Sequence, residues 1–347
     1  MPNRRLLDWA AGAIGEGARV VSVKSLHDGY SPWLLHIQHD GGTHQVVLRA
    51  IVAGRAVFPF QIATGAAALR VAEQHGLAAP RSIARDPEGR ITGVPAALET
   101  VVPGSTEIPV TVSPARLRTA GAAIAKVHKV HLEPQKHLPL RIRSLQGPPQ
   151  LDTHALERRW AVLFQASSEG DKPAVIDELR ALTKWSDSRL RQVVDTRSTP
   201  LLQRADDTLR AIPRPLEETV LVHADLWAGN MMWNGDTDVT LIDWKDSGVG
   251  APGVDLGHLR ITMAVQYGLD AAGHVLDGWE EEMGRAAAHV PYWDVVAGVH
   301  MPTELDDMEP GFDGDGNRIS SIAAAERRDE FLRAALDQLD PGPLKPA

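Results

Sequence analysis

Apolar positions recur along the chain with two periods. Residues 6–14 carry them at helical spacing on one face, whereas residues 20–23 and 33–38 alternate apolar and polar side chains as strands do. The link between those strands, residues 24–32, holds Gly29 and reads as a turn. Residues 39–43, with Gly41 and Gly42 at the tip, form the next turn, and residues 45–48 are a third strand ending at Arg49. Residues 64–75 are rich in alanine and stop at Gly76, the pattern of a helix closed by a glycine cap. Strands follow at 80–84 and 94–102, the second closed by Pro103 and Gly104. These pieces predict a small antiparallel sheet crossed by one helix, ending in a connector at residues 99–104.

Beyond the connector the pattern is mainly helical. Ser113 followed by Pro114 is an N-cap with proline in the first turn, and Leu117, Ala120, Ile124 and Val127 then repeat on one helical face. His128 and His131 close that helix, where dipole and core hydrogen-bonding roles account for them better than metal binding. Residues 151–216 read as helix after helix, broken at Pro173, Pro200, Pro213 and Pro215. Further helices are expected at 255–264, 279–283, 292–299 and 327–339. Residues 312–318 resemble a calcium loop but lack its glycine and its closing glutamate, and are expected to be a loose loop. The fold class is therefore α+β and bilobal, with lobes at residues 1–104 and 105–347.

One stretch, residues 221–246, stands apart because it places polar side chains in a frame of apolar strand residues. His223, Asp225 and Asn230 form H-x-D-x-x-x-x-N, and the apolar residues Val239, Leu241 and Ile242 lead directly into Asp243. Residues 231–233 and 239–242 read as a hairpin around Asn234-Gly235. If Trp233 pairs near Thr240, Asn230 falls opposite Asp243, at a cross-strand Cβ distance of about 5 Å. An amide oxygen and a carboxylate so placed suit a hard cation such as magnesium, with Asp225 aimed at the same space.

Composition narrows the setting. The 347 residues include no cysteine, which excludes disulfides, thiolate metal sites and a thiol nucleophile, and fits a cytoplasmic location. Asp8 and Glu16 interrupt the apolar pattern after Arg4 and Arg5, and no run approaches the roughly 18 apolar residues of a spanning helix, so neither signal peptide nor membrane partner is expected. The formal net charge is -9. It concentrates from residue 250 onward, where roughly 18 acidic side chains face about 7 basic ones. That argues against a nucleic-acid partner and for either a solvated acidic surface or attraction of a cationic small molecule. There is no G-x-x-x-x-G-K-[ST] sequence, so no Walker loop binds a nucleotide.

The pattern HADLWAGN followed by LIDW, with Asp243 thirteen residues after Asn230, resembles the catalytic loop and metal carboxylate of the protein-kinase-like fold. It is most similar to the small-molecule branch, the aminoglycoside phosphotransferase and choline kinase type of enzyme. The resemblance implies that Asp225 accepts the proton of a substrate hydroxyl, and that Asn230 and Asp243 hold Mg2+ on the phosphates of ATP, or of GTP in its place. It makes His223 and Asp255 supports of the catalytic loop and Arg49 the phosphate-gripping cation. Gly29, Tyr30 and Ser31 would cover the phosphates, and Thr100, Val101 and Val102 would present main chain to the adenine. The sequence departs from the pattern in three places. No glutamate stands at residues 65–67 to pair with Arg49, Pro32 removes a donor from the covering loop, and Ala224 with the short interval from Asp243 to Asp255 leaves no room for an activation segment.

The expected function is an ATP- and Mg2+-dependent O-phosphotransferase acting on a hydroxyl of a small molecule. An aminoglycoside or other cationic antibiotic is the first candidate acceptor, drawn toward Glu280, Glu281, Glu282, Asp294, Glu304, Asp306 and Asp307. A macrolide, another natural product or a metabolite are the alternatives, with Trp279 and Trp293 either lining an apolar pocket or filling a core. A catalytically silent kinase-like binding protein, and a metal-dependent hydrolase built on His223, Asp225, Asp255 and His258, are the readings of other classes.

Overall fold

The computed structural model describes residues 1–27, 30–51, 59–143, 153–183, 187–195, 197–306, 308 and 311–339. Helix α1 (Arg4–Ile14) starts where Asn3 Oδ1 accepts the Leu6 N–H at 2.9 Å, and it buries Leu6, Ala10 and Ala11. Strands β1 (Arg19–His27), β2 (Tyr30–His39) and β3 (Gly42–Ala50), helix α2 (Pro59–Gln74), and strands β4 (Ser82–Asp86) and β5 (Ala96–Thr100) follow. The strands form one antiparallel sheet in the order β1-β2-β3-β5-β4. Trp33, Leu35 and Ile37 of β2 and Val46, Leu48 and Ala50 of β3 alternate into a core with the apolar face of α1.

Strands β1 and β2 run further into the predicted turn than their alternation suggested. His27 pairs with Tyr30, so residues 30–32 belong to a strand and not to an open loop. The ladder slips between Ser25 and His27, leaving Leu26 facing both Ser31 and Pro32. That is where a bulge absorbs the N–H that proline lacks.

The connector leaves the sheet at Thr100 and reaches Ser105, which exchanges both main-chain hydrogen bonds with Trp233 at 2.9 Å. Gly104 has φ 123°, and a Cβ there would lie 2.4 Å from the Trp233 carbonyl oxygen, so only glycine fits.

The remaining chain is mainly helical. It contains α3 (Pro114–His128), β6 (Arg141–Arg143), α4 (Thr153–Ala166), α5 (Lys172–Thr183), α6 (Asp187–Val194) and α7 (Pro200–Ala211). Then come β7 (Val220–Val222), the hairpin β8 (Met231–Trp233) and β9 (Val239–Leu241), and β10 (Gly248–Gly250). Helices α8 (Gly253–Tyr267), α9 (Leu269–Met283), α10 (Val290–His300) and α11 (Ser321–Leu339) complete it. Strand β10 lies between β6, parallel to it, and β7, antiparallel. Helices α2, α3, α8 and α9 share a core with the hairpin through Leu69, Ile124, Leu241, Leu259 and Val275. The antiparallel sheet thus meets the helical region along α2 and the hairpin, which is where the polar stretch lies.

One expectation is corrected here, and one left open is decided. Residues 312–318 are not loose: Phe312 and Arg318 pair, and Asp313 Oδ1 accepts the N–H groups of Asp315 at 3.0 Å and Asn317 at 2.8 Å. Side-chain to main-chain bonds of this type close a tight turn without a metal. Of the two alternatives for Trp279 and Trp293, the second holds: both are core residues, 1% and 3% exposed. Among the described residues no helix is long and apolar enough to cross a membrane.

Candidate active site

The catalytic-type loop is held from below by one carboxylate. Asp255, on the first turn of α8, accepts the main-chain N–H of His223 on Oδ2 and that of Ala224 on Oδ1, both at 2.7 Å. Its Oδ2 also meets His128 Nε2 at 3.1 Å, while His128 Nδ1 accepts the Trp279 indole N–H at 2.9 Å. Since an indole nitrogen only donates, His128 carries its proton on Nε2 and donates it to Asp255. Burial alone would push the Asp255 carboxyl up. The His128 hydrogen bond and the neighbouring His223 outweigh it and hold the carboxyl below its ordinary range. Anchored in this way, Ala224 takes φ 63°, and the chain turns sharply so that Asp225 leaves the strand direction of β7.

His223 is fully buried and bonds through Nε2 to the Ile242 carbonyl at 2.9 Å, with its ring edge-on to Trp244. Burial depresses its pKa, so the imidazole is a neutral strut between the loop and the segment that carries Asp243. Both Asp255 oxygens are committed to the main chain and His223 Nε2 to a carbonyl, so these two side chains serve the loop. Among the described residues, no cluster of three or more His, Cys, Asp or Glu stands ready for a metal.

The register of the hairpin differs by one residue from the expected one. Trp233 pairs with Val239, so Asn230 stands opposite Ile242, whose N–H donates to the Asn230 carbonyl at 3.0 Å. Turn length decides this: Asn234 N–H closes on the Asp238 carbonyl at 2.9 Å, one residue tighter than assumed. Asp243 therefore reaches the site by a left-handed kink, with φ 66° and ψ 56°, and not by cross-strand pairing. Asn230 is buried and donates Nδ2 to the Asp225 carbonyl at 2.7 Å, which leaves its side-chain oxygen as the available ligand.

A lysine that sequence reasoning passed over joins the two carboxylates. Lys245 Nζ lies 2.8 Å from Asp225 Oδ2 and 2.6 Å from Asp243 Oδ2. The other oxygen of Asp243 is held by Arg49 at 3.0 Å, and Arg49 is in turn bound by Glu99 at 3.1 Å. The partner missing from α2 is thus supplied by β5, the strand beside Arg49's own. Burial opposes the charge on Arg49 and Lys245, yet their carboxylates prevail and raise both pKa values. Burial likewise pushes Asp243 up, and the two cations overcome it and hold the carboxyl low. Below this group Asp246 takes Gln61 at 3.2 Å and Arg141 at 3.1 Å, while Arg143 donates Nε to the Asp246 carbonyl at 3.0 Å. Burial, with Arg141 adjacent, pushes Arg143 down to about 10. Among the described residues four carboxylates (Glu99, Asp225, Asp243, Asp246) face four cations (Arg49, Arg141, Arg143, Lys245), so their charges balance.

On the nucleotide side, Gly29 lies outside the described residues, as do the side chains of Tyr30 and Ser31. Thr100 is engaged twice with Arg81, its N–H donating to the carbonyl and its Oγ1 accepting the N–H, both at 2.9 Å. Val101 and Val102, half-buried, have no main-chain hydrogen bond to any described residue. Four of the acidic side chains expected to attract a cation are engaged elsewhere. Glu280 accepts the Ala287 N–H, Glu281 and Glu282 pair with Arg118 and Lys129, and Asp294 is buried against Arg260. Glu304 and Asp306 are exposed, and Asp307 lies outside the described residues.

A base-type carboxylate, an amide oxygen, a second carboxylate and a strand cation, gathered where an antiparallel sheet meets a helical region, define a kinase-like phosphotransferase. The chain belongs to the phosphotransferase enzyme family (APH), whose model matches residues 22–289. A candidate aminoglycoside phosphotransferase from Ralstonia eutropha JMP134 is 15% identical, with 97% of this chain and 98% of that one covered at a TM-score of 0.55. A macrolide 2′-phosphotransferase from Brachybacterium faecium is 18% identical over 98% of each chain, with a TM-score of 0.54. A spectinomycin phosphotransferase in complex with AMP is 12% identical, covering 97% and 98%, with a TM-score of 0.52. At such identities the likeness is one of fold. No curated protein sequence matches the chain.

Proposed function

We propose that the protein transfers the γ-phosphoryl group of ATP to a hydroxyl of a small molecule, with residues 1–104 holding the nucleotide and residues 105–347 carrying the catalytic groups and the acceptor. The observation that carries this reading is the convergence of Asp225 and Asp243 on one cation, at 2.8 and 2.6 Å, beside an Asn230 bonded to the Asp225 main chain. Asp225 orients the acceptor hydroxyl and takes its proton as the new O–P bond forms and the bond to the ADP oxygen breaks. Asn230 and Asp243 hold Mg2+, which offsets the charge of the phosphate oxygens; an oxygen-only donor set completed by phosphate and water fits that ion. Arg49, fixed by Glu99, grips the phosphates, and Val101 and Val102 offer main-chain groups to the base. His223 and Asp255 hold the loop in its kinked form. Positioning and charge stabilisation provide most of the rate in such a reaction, which is why the site is a lattice of ion pairs and not a covalent nucleophile.

The acceptor is a small hydroxylated compound. Aminoglycosides, macrolides and spectinomycin-type antibiotics lead the panel on family grounds alone, because Glu280, Glu281, Glu282 and Asp294, four of the acidic side chains expected to favour a cation, are engaged elsewhere. The test is ATP turnover with Mg2+ against that panel and against simple amino alcohols, with phosphorylated product identified by mass. Asp225→Ala is expected to lower kcat by about 10³-fold, as removal of a positioned base does. Nucleotide binding with no acceptor phosphorylated would instead make the chain a silent kinase-like binding protein.

A further inference from the structure

Both oxygens of Asp243 are already held by cations of the protein, Arg49 on one and Lys245 on the other. Each oxygen keeps a further lone pair, but the Lys245 ammonium occupies the space between Asp225 and Asp243, so a dication entering there meets a like charge. The two cations are not equally free. Arg49 is a planar group clamped by Glu99, with a side chain 19% exposed. Lys245 is 31% exposed, sits on a flexible four-carbon stem, and is tied only to carboxylates of the site itself.

Resting on the phosphotransferase reading, we infer that Lys245 is a tethered cation which fills the gap between Asp225 and Asp243 while the cleft is empty. It yields that gap to the metal-loaded nucleotide by swinging toward Asp246. Three observations support the movement. Asp246 Oδ2 is already 3.8 Å from Nζ, so the ammonium changes partner without entering an apolar region. The main chain of Lys245 packs against α2, where a Cβ on Gly65 would be in ordinary contact with the Lys245 Cα at 3.5 Å, so the side chain is the part with room to move. Finally, Asp225 and Asp243 both sit within one hydrogen bond of Nζ, and like charges held that close repel unless a cation separates them.

The arrangement has a consequence for order. While Lys245 bonds Asp225 Oδ2, that oxygen is unavailable to an acceptor hydroxyl. Displacement by the loaded nucleotide frees the base and the metal carboxylate in one event. Lys245 is thus a positioning residue, acting through Asp225 and Asp243.

Mn2+ binding to nucleotide-free protein, followed by the loss of the free-ion EPR signal, tests the idea without turnover. Apparent affinity scales with the fraction of molecules in which the site is open, so Lys245→Met is expected to tighten Mn2+ binding by about tenfold or more. Arg141→Met removes an equal charge from Asp246, which eases the swing but leaves Lys245 present to fill the gap, so its gain is expected to be the smaller one, within about threefold of wild type. Lys245→Met should also melt at a lower temperature than wild type without Mn2+ and recover with it. Unchanged or weaker Mn2+ binding in Lys245→Met, or an equal gain in Arg141→Met, overturns the inference alone, provided wild type binds Mn2+ together with ADP. If neither protein binds Mn2+ even with ADP, the phosphotransferase reading falls with it.

Discussion

Arg49 and Glu99 lie on adjacent strands, β3 and β5, and form an ion pair at 3.1 Å whose free end reaches Asp243 across from the sheet. The strand cation is therefore anchored inside its own sheet, and α2 is left without that task. Glu99→Gln keeps the shape and removes the charge. It is expected to destabilise the protein by about 2 kcal/mol, less than the 3–5 kcal/mol typical of a broken buried pair, because Arg49 retains Asp243. In turnover, KM for ATP should rise by about tenfold with kcat less affected, since a loosened Arg49 loses ground-state grip first. An unchanged KM would separate Arg49 from nucleotide binding.

The kink at Ala224 is the strained point of the loop. Its φ of 63° is disfavoured for any residue with a Cβ, by about 1–2 kcal/mol. Ala224→Gly relieves that strain but gains unfolded-state entropy, so a net stabilisation of about 0.5–1 kcal/mol is expected with activity retained. Ala224→Val should destabilise by about 2 kcal/mol and reduce kcat, because a β-branched residue resists this conformation. Equal stability of the glycine and valine variants in urea unfolding would show that the kink carries no strain.

Acid should weaken the fold in two stages. His223 has a folded pKa below its ordinary 6.5, so the unfolded chain takes up a proton first, and stability present above pH 6.5 is lost as pH falls through the folded value. Asp255 is depressed from 3.8, so its contribution is complete above that pH and disappears as pH falls below it. The first stage is bounded by about 1.4 kcal/mol per pH unit for a single proton. Urea unfolding between pH 7 and pH 5 should show that decline in wild type and a flatter profile in His223→Gln. A variant profile parallel to wild type would assign the decline to other groups.

What the sequence made legible was local. Ser113 caps α3, glycine follows α2, and the hairpin forms around Asn234 and Gly235, because each depends on residues a few positions apart. The signature from His223 to Asp243 was visible for the same reason. What escaped depended on distance or on backbone twist. Glu99 meets Arg49 only because β5 lies against β3, a pairing that no periodicity reveals. The one-residue register error followed from misjudging a single turn, and it hid the left-handed backbone that actually brings Asp243 to the site. Lys245 was in plain view, two residues past Asp243, but a lysine between two carboxylates matches no metal-site pattern. The acidic side chains after residue 250 suggested a cation site because composition cannot tell a free carboxylate from one already paired.

Support for the loop extends to a helix crossing that tolerates no side chain. Helices α3 and α9 approach so closely that a Cβ on Gly121 would lie 2.0 Å from the Val275 carbonyl oxygen, and one on Gly278 2.0 Å from that of Arg118. Both contacts are with main chain, so the helices must separate to admit a methyl group. Gly121→Ala is expected to destabilise by about 3 kcal/mol, at the upper end of overpacking effects. Gly273, also on α9, has open space around its Cβ position, and Gly273→Ala should stabilise by about 0.5–1 kcal/mol through helix propensity. The crossing also sets the meeting of His128 on α3 with Trp279 on α9, the pair behind Asp255. Gly121→Ala should therefore lower kcat in the fraction that remains folded, whereas Gly273→Ala should not. Equal activity per folded molecule in the two variants would show that the catalytic loop does not depend on the α3–α9 spacing.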